Sequence, residues 1–280
     1  MLSSKVTAAP QHLVIGGAGL LGAALRQRWE AQGVKTIVTT RETLDLGGDI
    51  ARWHPPAGGG VAVISAGITD QEKCRRDPAG TGRINIDQTI LLAQRLRAAD
   101  YFVVYLSSNL VFDGSAAGPR PADAVSPATE YGRQKAAAEQ GLRDVTDELA
   151  IVRLTKVVHQ NLPLLARWRE ALQRGEVIRP FRDYVCSPIS LAFAVAGIAA
   201  AAEKRAPGIW HISANDDLPY SELARALARN LGAPEALVQS TAAPHGTLEH
   251  LPEHAFLDTA DTEKQLGLKT PSAREALDFA

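Results

Sequence analysis

A glycine-rich stretch near the start of the chain restricts the possible folds more than any other feature. Residues 12–15 (HLVI) predict a short buried strand, and the chain then turns through Gly16, Gly17 and Gly19 into an apolar helix. A glycine turn between a strand and a helix is typical of dinucleotide-binding sites, because unhindered backbone can approach a phosphate there. The plain alternative is a tight turn that binds no ligand.

Three glycines spaced three residues apart have different expected roles. Gly16 permits the tight turn, Gly19 lets the backbone approach a pyrophosphate, and Gly22 lets the helix pack closely on the sheet. The first helical residues, Leu20, Leu21 and Gly22, offer backbone N–H groups and the positive end of the helix dipole to the phosphates.

Strands and helices are expected to alternate along the chain. Further strands are predicted at residues 34–40, 61–65, 101–106, 150–154 and 208–213, and helices at 82–98, 130–142, 162–175, 190–204 and 220–231. This alternation predicts an α/β fold with a Rossmann-like doubly wound parallel sheet. We expect an NAD(P)-binding domain at residues 1–154, rejoined by about 186–214. Residues 155–185 and 215–280 are expected to form a small C-terminal substrate-binding domain.

Composition excludes several classes of protein. The 280 residues carry a formal net charge of −1, which gives no electrostatic reason to expect nucleic acid or a membrane surface as a partner. No stretch reaches the roughly 18 apolar residues of a membrane span, and residues 1–10 do not resemble a signal peptide. Cys74 and Cys186 form no CxxC pair, which predicts a reducing, cytoplasmic location. The histidines show no metal-ligand spacing, and His211 is expected to be a core residue.

A tyrosine and a lysine four residues apart suggest acid–base chemistry. On a helix, Tyr131 and Lys135 share one face, and a nearby ammonium favours the phenolate over the phenol. Such a phenol could exchange a proton with a carbonyl oxygen, and a serine at the end of the preceding strand could polarise that carbonyl. A solvated helix face is the alternative for the tyrosine–lysine pair alone, but the strand-end serines and the glycine turn favour catalysis.

The end of the second predicted strand indicates which nicotinamide cofactor is bound. Sites that prefer NAD place an Asp or Glu there to bond the ribose 2′-hydroxyl. Here the strand ends in Thr40 and is followed by Arg41, with no acid. Arg41 could pair with a 2′-phosphate and Thr40 could bond it, so the sequence predicts NADP(H) over NAD(H).

These motifs and several shorter ones occur in an order that resembles a known family. The matching residues are Gly16, Gly19 and Gly22; Leu44-Asp45-Leu46; Ser65-Ala66-Gly67; Ile84-Asn85; residues 107–114 (SSNLVFDG); Pro127; Tyr131-Gly132 with Lys135; Arg153; and Ser187-Pro188. The chain resembles the extended short-chain dehydrogenase/reductases, most closely the dTDP-4-dehydrorhamnose reductase group of nucleotide-sugar enzymes. The likeness covers most of the first 190 residues and is weaker beyond them.

The resemblance implies a role for each matching residue. Tyr131 would protonate the substrate carbonyl, Lys135 would bind the nicotinamide ribose and tune Tyr131, and Ser108 would be the catalytic Ser/Thr. The implied cofactor-binding residues also include Asp45 and Leu46 at the adenine, Ser65, Ala66 and Gly67 along the cofactor, and Ser107. For Asn85, a cofactor contact and plain bonding to the backbone are equally open.

The implied function is an NAD(P)-dependent oxidoreductase of carbohydrate biosynthesis that acts on the keto group of a nucleotide-linked sugar. The alternatives are a non-catalytic, cofactor-binding regulatory subunit of the same fold and a sugar-nucleotide epimerase; a homodimer is a further open expectation. Three departures from the reductase pattern bear on the substrate. Asn109 stands where an Asp is usual, Pro121 where a Glu is usual, and residues 154–158 (LTKVV) lack the usual aromatic residue.

Overall fold

A computed structural model describes residues 11–244, 246 and 248–277 of the chain. The strands β1 to β10 are Gln11–Ile15, Thr36–Thr39, Gly60–Ile64, Tyr101–Ser108, Leu149–Leu154, Lys156–Val158, Val185–Cys186, Pro188–Ser190, Gly208–Ile212 and Leu218–Pro219. The helices α1 to α8 are Leu20–Ala31, Gln71–Arg76, Pro78–Gly82, Thr89–Ala98, Glu130–Val145, Pro163–Gln173, Leu191–Glu203 and Tyr220–Asn230. No helix in this part of the chain is both long and apolar enough to cross a bilayer.

The main sheet has six strands in the order β2-β1-β3-β4-β5-β9, which confirms the predicted α/β fold. β1 pairs in parallel with both β2 and β3, so that Val14 lies opposite Val38 on one side and Val63 on the other. The strand order therefore reverses between β1 and β3, and ligands of such sheets bind beyond the carboxyl ends of the strands at that reversal.

Buried strands explain why this sheet forms. Every residue of β3 is buried, as are the first seven residues of β4, and such continuously apolar strands suit a parallel sheet covered on both faces. Tyr101 is buried within the core with its hydroxyl satisfied, since it accepts a hydrogen bond from Gln11 and donates one to the Pro56 carbonyl. The strand predicted at residues 208–213 is β9 of this sheet.

The chain divides into two compact units. The first contains the described residues up to Ser107 together with Arg133–Val152 and Ile198–Ile209. The second contains Ser108–Gly132, Arg153–Gly197 and the described residues from Trp210 onward. The division into a cofactor domain and a substrate domain stays a prediction, and its bounds differ from those of the units, which place residues 108–132 and 186–197 in the second.

Two short helices were not predicted because they are too short to show a helical period. Asp70 and Asp77 are the N-cap residues of α2 and α3, and their side chains accept hydrogen bonds from the backbone N–H groups of Lys73 and Gly80. The predicted helix at residues 82–98 starts as a π-helical turn, Arg83–Gln88, before α4. The expectation about residues 1–10 concerns a segment outside the described residues.

Candidate active site

The glycine turn after β1 has a backbone shape that only glycine adopts easily. Gly16 has a φ of +90°, and a Cβ placed there would lie 2.8 Å from the backbone nitrogen of Ala66. A side chain at Gly16 would therefore both strain the backbone and push the ends of β1 and β3 apart.

Gly22 lets α1 pack closely against the chain that follows β1. A Cβ at Gly22 would overlap the carbonyl oxygen of Gly16 and lie 3.0 Å from the Cα of Gly17, so Gly22 seats α1 on the glycine turn itself. Gly17 brings the turn itself close to β2, since a Cβ there would lie 2.6 Å from the Cβ of Val38. The turn therefore requires glycine at Gly17 and Gly22 because of steric contacts that the spacing of the glycines alone does not reveal.

The start of α1 leaves backbone donors available. Its first internal hydrogen bond runs from the Ala23 N–H to the Gly19 carbonyl, and Gly19 provides no side-chain cap. The N–H groups of Leu20, Leu21 and Gly22 therefore have no acceptor one turn earlier within the helix. These donors and the helix dipole favour an anion at this end of α1.

A groove of about 280 Å³ lies within the first unit at the carboxyl ends of β1, β2 and β3. It brings together Gly16, Gly19, Thr40, Arg41, Asp45, Leu46, Ser65, Ala66 and Gly67, all of which the sequence assigned to a cofactor. Leu44, Gly47, Ile68 and Ile84 complete the lining and were not among the assigned residues, although Leu44 and Ile84 belong to the matching motifs.

Two side chains of the groove are held by the backbone beside them. The Ser65 hydroxyl donates a hydrogen bond to the Ile15 carbonyl at 2.8 Å, which ties the ends of β1 and β3 together. The Asp45 carboxylate accepts a hydrogen bond from the Gly47 N–H at 2.9 Å. Both side chains are therefore held in place by backbone groups of the fold itself.

Asn85 does not line this groove, and its side chain is only 2% exposed. Its amide oxygen accepts from the Ile68 N–H at 2.8 Å, while its amide nitrogen donates to the Ile68 carbonyl and to Gln134 Oε1. Gln134 in turn donates to the Thr81 hydroxyl at 2.9 Å. Of the two open interpretations, this geometry favours bonding to the backbone, by which Asn85 fixes the turn after β3.

Lys135 is buried on α5 against the end of β4. Its ammonium donates to the Leu106 carbonyl at 2.8 Å and lies 4.6 Å from the centre of the Tyr105 ring. Burial lowers the pKa of Lys135 to about 8, and the Glu139 carboxylate opposes that fall. Lys135 is therefore mostly charged at neutral pH.

Glu139 lies one turn further along α5 and is also buried. Its carboxylate accepts a hydrogen bond of 2.5 Å from the hydroxyl of Ser107, on β4. Ser107, which the sequence assigned to the cofactor, is itself buried and engaged by this acid. The Glu139 carboxylate therefore lies close enough to Lys135 to act on its charge.

Tyr131 and Ser108 belong to the second unit, and a glycine explains how their segments meet. Tyr131 is buried in the first turn of α5, one turn before Lys135. A Cβ on the next residue, Gly132, would overlap the carbonyl oxygen of Leu110. This close approach sets the start of α5 against the turn that Ser108 begins, where the Ser108 hydroxyl accepts from the Leu110 N–H. The sequence contained Gly132 in its motif but no sign of this contact.

Two polar residues of the second unit have structural partners. Asn109 donates from its amide to the Ala255 carbonyl at 3.0 Å, a bond that the usual aspartate could not make. His211 is fully buried between the Asp258 carbonyl and the Arg153 guanidinium. Burial, aided by Arg153, lowers the pKa of His211 to about 3, so this histidine is a neutral core residue, as expected.

The first unit fits a nicotinamide dinucleotide. A glycine turn that a Cβ would fill, free helix donors for a pyrophosphate, and a groove with a cationic side chain are the features such a group needs. Gly16, Gly19 and the start of α1 would hold the pyrophosphate, and the groove residues would hold the adenosine.

Comparisons with known proteins agree with this fold. The family model described as RmlD substrate binding domain matches residues 11–280. The spore coat polysaccharide biosynthesis protein SpsK of Bacillus subtilis (strain 168) is 26% identical over 279 residues, with 95% of this chain and 94% of SpsK covered. A dTDP-4-dehydrorhamnose reductase of Streptomyces griseus is 29% identical over 245 residues, with 83% and 80% covered.

Solved structures show the same fold. The crystal structure of dTDP-4-dehydrorhamnose reductase from Bacillus anthracis str. Ames in complex with NADP has a TM-score of 0.85 at 18% identity, covering 97% of both chains. Since the family model spans nearly all of the sequence, the chain belongs to the RmlD substrate binding domain family.

Proposed function

We propose that this protein is an NADPH-dependent reductase of a keto group on a nucleotide-linked sugar. One observation carries the proposal beyond family membership: a buried, charged lysine lies one helical turn from a buried tyrosine, beside the strand that ends in Ser108. Burying an ammonium costs free energy, and perturbed groups of this kind cluster at functional sites. Reductases named in the comparisons support the same reaction.

In the proposed mechanism, Tyr131 gives the proton of its hydroxyl to the substrate carbonyl oxygen, and Ser108 donates a hydrogen bond to the same oxygen. Lys135 stays charged because Glu139 opposes the effect of burial, and this positive charge favours the phenolate that Tyr131 becomes. A nicotinamide cofactor, when bound in the groove, would supply the hydride. Asn85 keeps the turn after β3 in shape through its bonds to Ile68.

Replacing Tyr131 by phenylalanine tests this mechanism. The Tyr131→Phe change removes the proton donor and keeps the ring, so kcat should fall by about 10²–10⁴-fold while NADPH affinity is kept. Ser108→Ala should lose rate with the same affinity, whereas Lys135→Met should weaken both. The measurement is stopped-flow absorbance of NADPH with a panel of nucleotide-linked keto sugars.

Three outcomes would count against the proposal. A Tyr131→Phe variant that turns over at the parental rate would exclude Tyr131 as the acid. A parent that binds NADPH but oxidises it with none of the sugars would favour the regulatory subunit. A parent that inverts one stereocentre of a sugar without net consumption of NADPH would favour the epimerase.

The preference for NADP(H) over NAD(H) rests on the groove. Thr40 and Arg41 both line it, directly after β2, and no acidic residue ends that strand. A guanidinium pairs well with a phosphate, so Arg41 would bind the 2′-phosphate that distinguishes the two cofactors.

Two further proposals concern the setting of the enzyme. Cys74 and Cys186 are buried and form no disulfide, which supports a reducing location such as the cytoplasm. The homodimer stays a prediction, which light scattering on the purified protein would test.

A further inference from the structure

A lysine without a counter-charge lies in the second unit. Lys156 is half-buried and opens β6, where its backbone N–H donates to the Ser187 carbonyl at 3.2 Å. Within residues 11–244, 246 and 248–277, its ammonium makes neither an ion pair nor a hydrogen bond. Burial lowers the pKa of Lys156 from its ordinary value, as expected for a cation that lacks an anion.

The nearby groups do not supply the missing charge. Burial raises the pKa of the Cys186 thiol to about 12, so this group is neutral at physiological pH. The carboxylate that acts on Cys186, that of Asp217, is already used by His254 and by the Ala255 N–H. His159 cannot provide a negative charge, and burial together with the charge of Lys156 lowers the pKa of its imidazole.

Topology puts Lys156 at the reactive edge of the fold. Ser108 is the last residue of β4, and Lys156 comes two residues after the end of β5. β4 and β5 are neighbours in the sheet, and neighbouring strands lie about 4.8 Å apart. Lys156 therefore leaves the sheet beside the serine that polarises the substrate carbonyl, at the edge where ligands of such sheets bind.

A partly buried ammonium without a counter-charge lowers the stability of the fold unless an anionic ligand pairs with it. We propose that Lys156 binds a carboxylate on the sugar of the substrate, so that the enzyme acts on nucleotide-linked keto uronic acids. This inference rests on the proposed reductase function. The diphosphate of the nucleotide is the other anion in such a substrate, but the position beside Ser108 favours the reacting sugar.

A pair of ligands that differ only at the sugar C6 tests the assignment. UDP-glucuronate and UDP-glucose, and the same pair with dTDP, would be titrated by calorimetry into the full chain loaded with NADP⁺. The parent should bind the glucuronate about 10- to 100-fold more tightly, as a hydrogen bond between charged groups provides. Lys156→Met should bring this ratio close to one without changing the affinity for the glucose form, and Lys156→Arg should keep it.

Controls separate binding from folding. Lys264→Met removes an exposed lysine of the same unit and should leave the ratio at the parental value. Lys156→Met keeps the length of the side chain and removes an unpaired charge, so its melting temperature should not fall below that of the parent. The ratio measured on the parent tests the inference even if a variant folds poorly.

Each result has a defined meaning. Equal affinity of the parent for both members of a pair would overturn the inference while leaving the reductase function intact. An equal loss for both members in Lys156→Met would assign Lys156 to the diphosphate and also overturn it. Failure of the parent to bind any of the four ligands would contradict the proposed function itself.

Discussion

The groove of the first unit and the strand ends of the second unit use their residues differently. In the groove, Gly16, Gly17 and Gly22 act through the absence of a side chain, because each packs where a Cβ would collide with backbone or with Val38. In the second unit, Asn109 and Lys156 act through their side chains. Asn109 donates to the Ala255 carbonyl, whereas the ammonium of Lys156 has no hydrogen-bond or ion-pair partner among the described residues.

This difference explains where the chain departs from the pattern of the reductases. A steric requirement on the backbone leaves one acceptable residue, so the glycine motif is kept. A side chain at the substrate end can be exchanged if its new contacts are satisfied, as Asn109 is by the Ala255 carbonyl. On the proposed function, the glycine turn would bind the cofactor and the strand ends of the second unit would contact the substrate.

The largest effect is expected for Gly22→Ala. Its methyl group would overlap the Gly16 carbonyl and force α1 away from the turn, so NADPH affinity should fall by at least about 100-fold, the loss of several well-placed hydrogen bonds to phosphate. Fluorescence titration with NADPH measures this. Gly82→Ala is the matched control, because Gly82 has a helical φ of −60° and its Cβ position lies 3.9 Å from the nearest side-chain atoms, at ordinary contact distance. Parental affinity in Gly22→Ala would show that the turn is not held by contact.

The same contrast decides how much could be predicted from the sequence. Gly16 is a local feature, since the strand before it and the helix after it are visible in a short window. The bonds of Asn85 to Ile68 and Gln134 join residues 17 and 49 positions away, and no periodicity encodes them. The contact between Gly132 and the Leu110 carbonyl likewise forms only when two segments pack. Fold class and groove residues were therefore accessible, and the supports of the catalytic residues were not.

Arg41→Ala tests the one side chain of the groove expected to choose between cofactors. Losing a charged hydrogen bond to the 2′-phosphate should weaken NADPH binding by about 10- to 100-fold and leave NADH binding unchanged. Arg52→Ala, an exposed arginine outside the groove, should change neither. The predicted preference would be wrong if the parent bound NADH as tightly as NADPH, or if Arg41→Ala kept its NADPH affinity.

Glu139→Gln should shift the pH dependence of the rate. Lys135 works as a cation, and its pKa of about 8 means that the charge, and with it kcat/KM, declines as pH rises through that value. Glutamine still accepts the hydrogen bond from Ser107 but has no charge to oppose the effect of burial. The pKa of Lys135 should then fall further, and the decline should begin at lower pH.

Rates measured from about pH 6 to 10 check this expectation, because this range covers the ionisation of a lysine. Asp144→Asn removes an exposed acid from the same helix and should leave the profile in place. An unchanged profile in Glu139→Gln would mean that Glu139 only packs against Ser107.

The smallest effect concerns Asn109→Asp, which restores the usual residue of the reductases to a site adapted to asparagine. An ionised aspartate cannot donate to the Ala255 carbonyl, and its charge would face that oxygen, so the free energy of unfolding should fall by about 1–3 kcal/mol. The charged form is the one disfavoured on folding, which raises the folded-state pKa of the new acid above its unfolded value. The loss is therefore present at neutral pH and shrinks as pH falls, because the protonated acid can donate again.

Urea unfolding at pH 7 and pH 4.5 measures both the loss of stability and its pH dependence, and Asn161→Asp provides an exposed control. A variant as stable as the parent at pH 7 would show that the second unit tolerates the reductase residue, and the contrast drawn between the two regions would then not extend to Asn109.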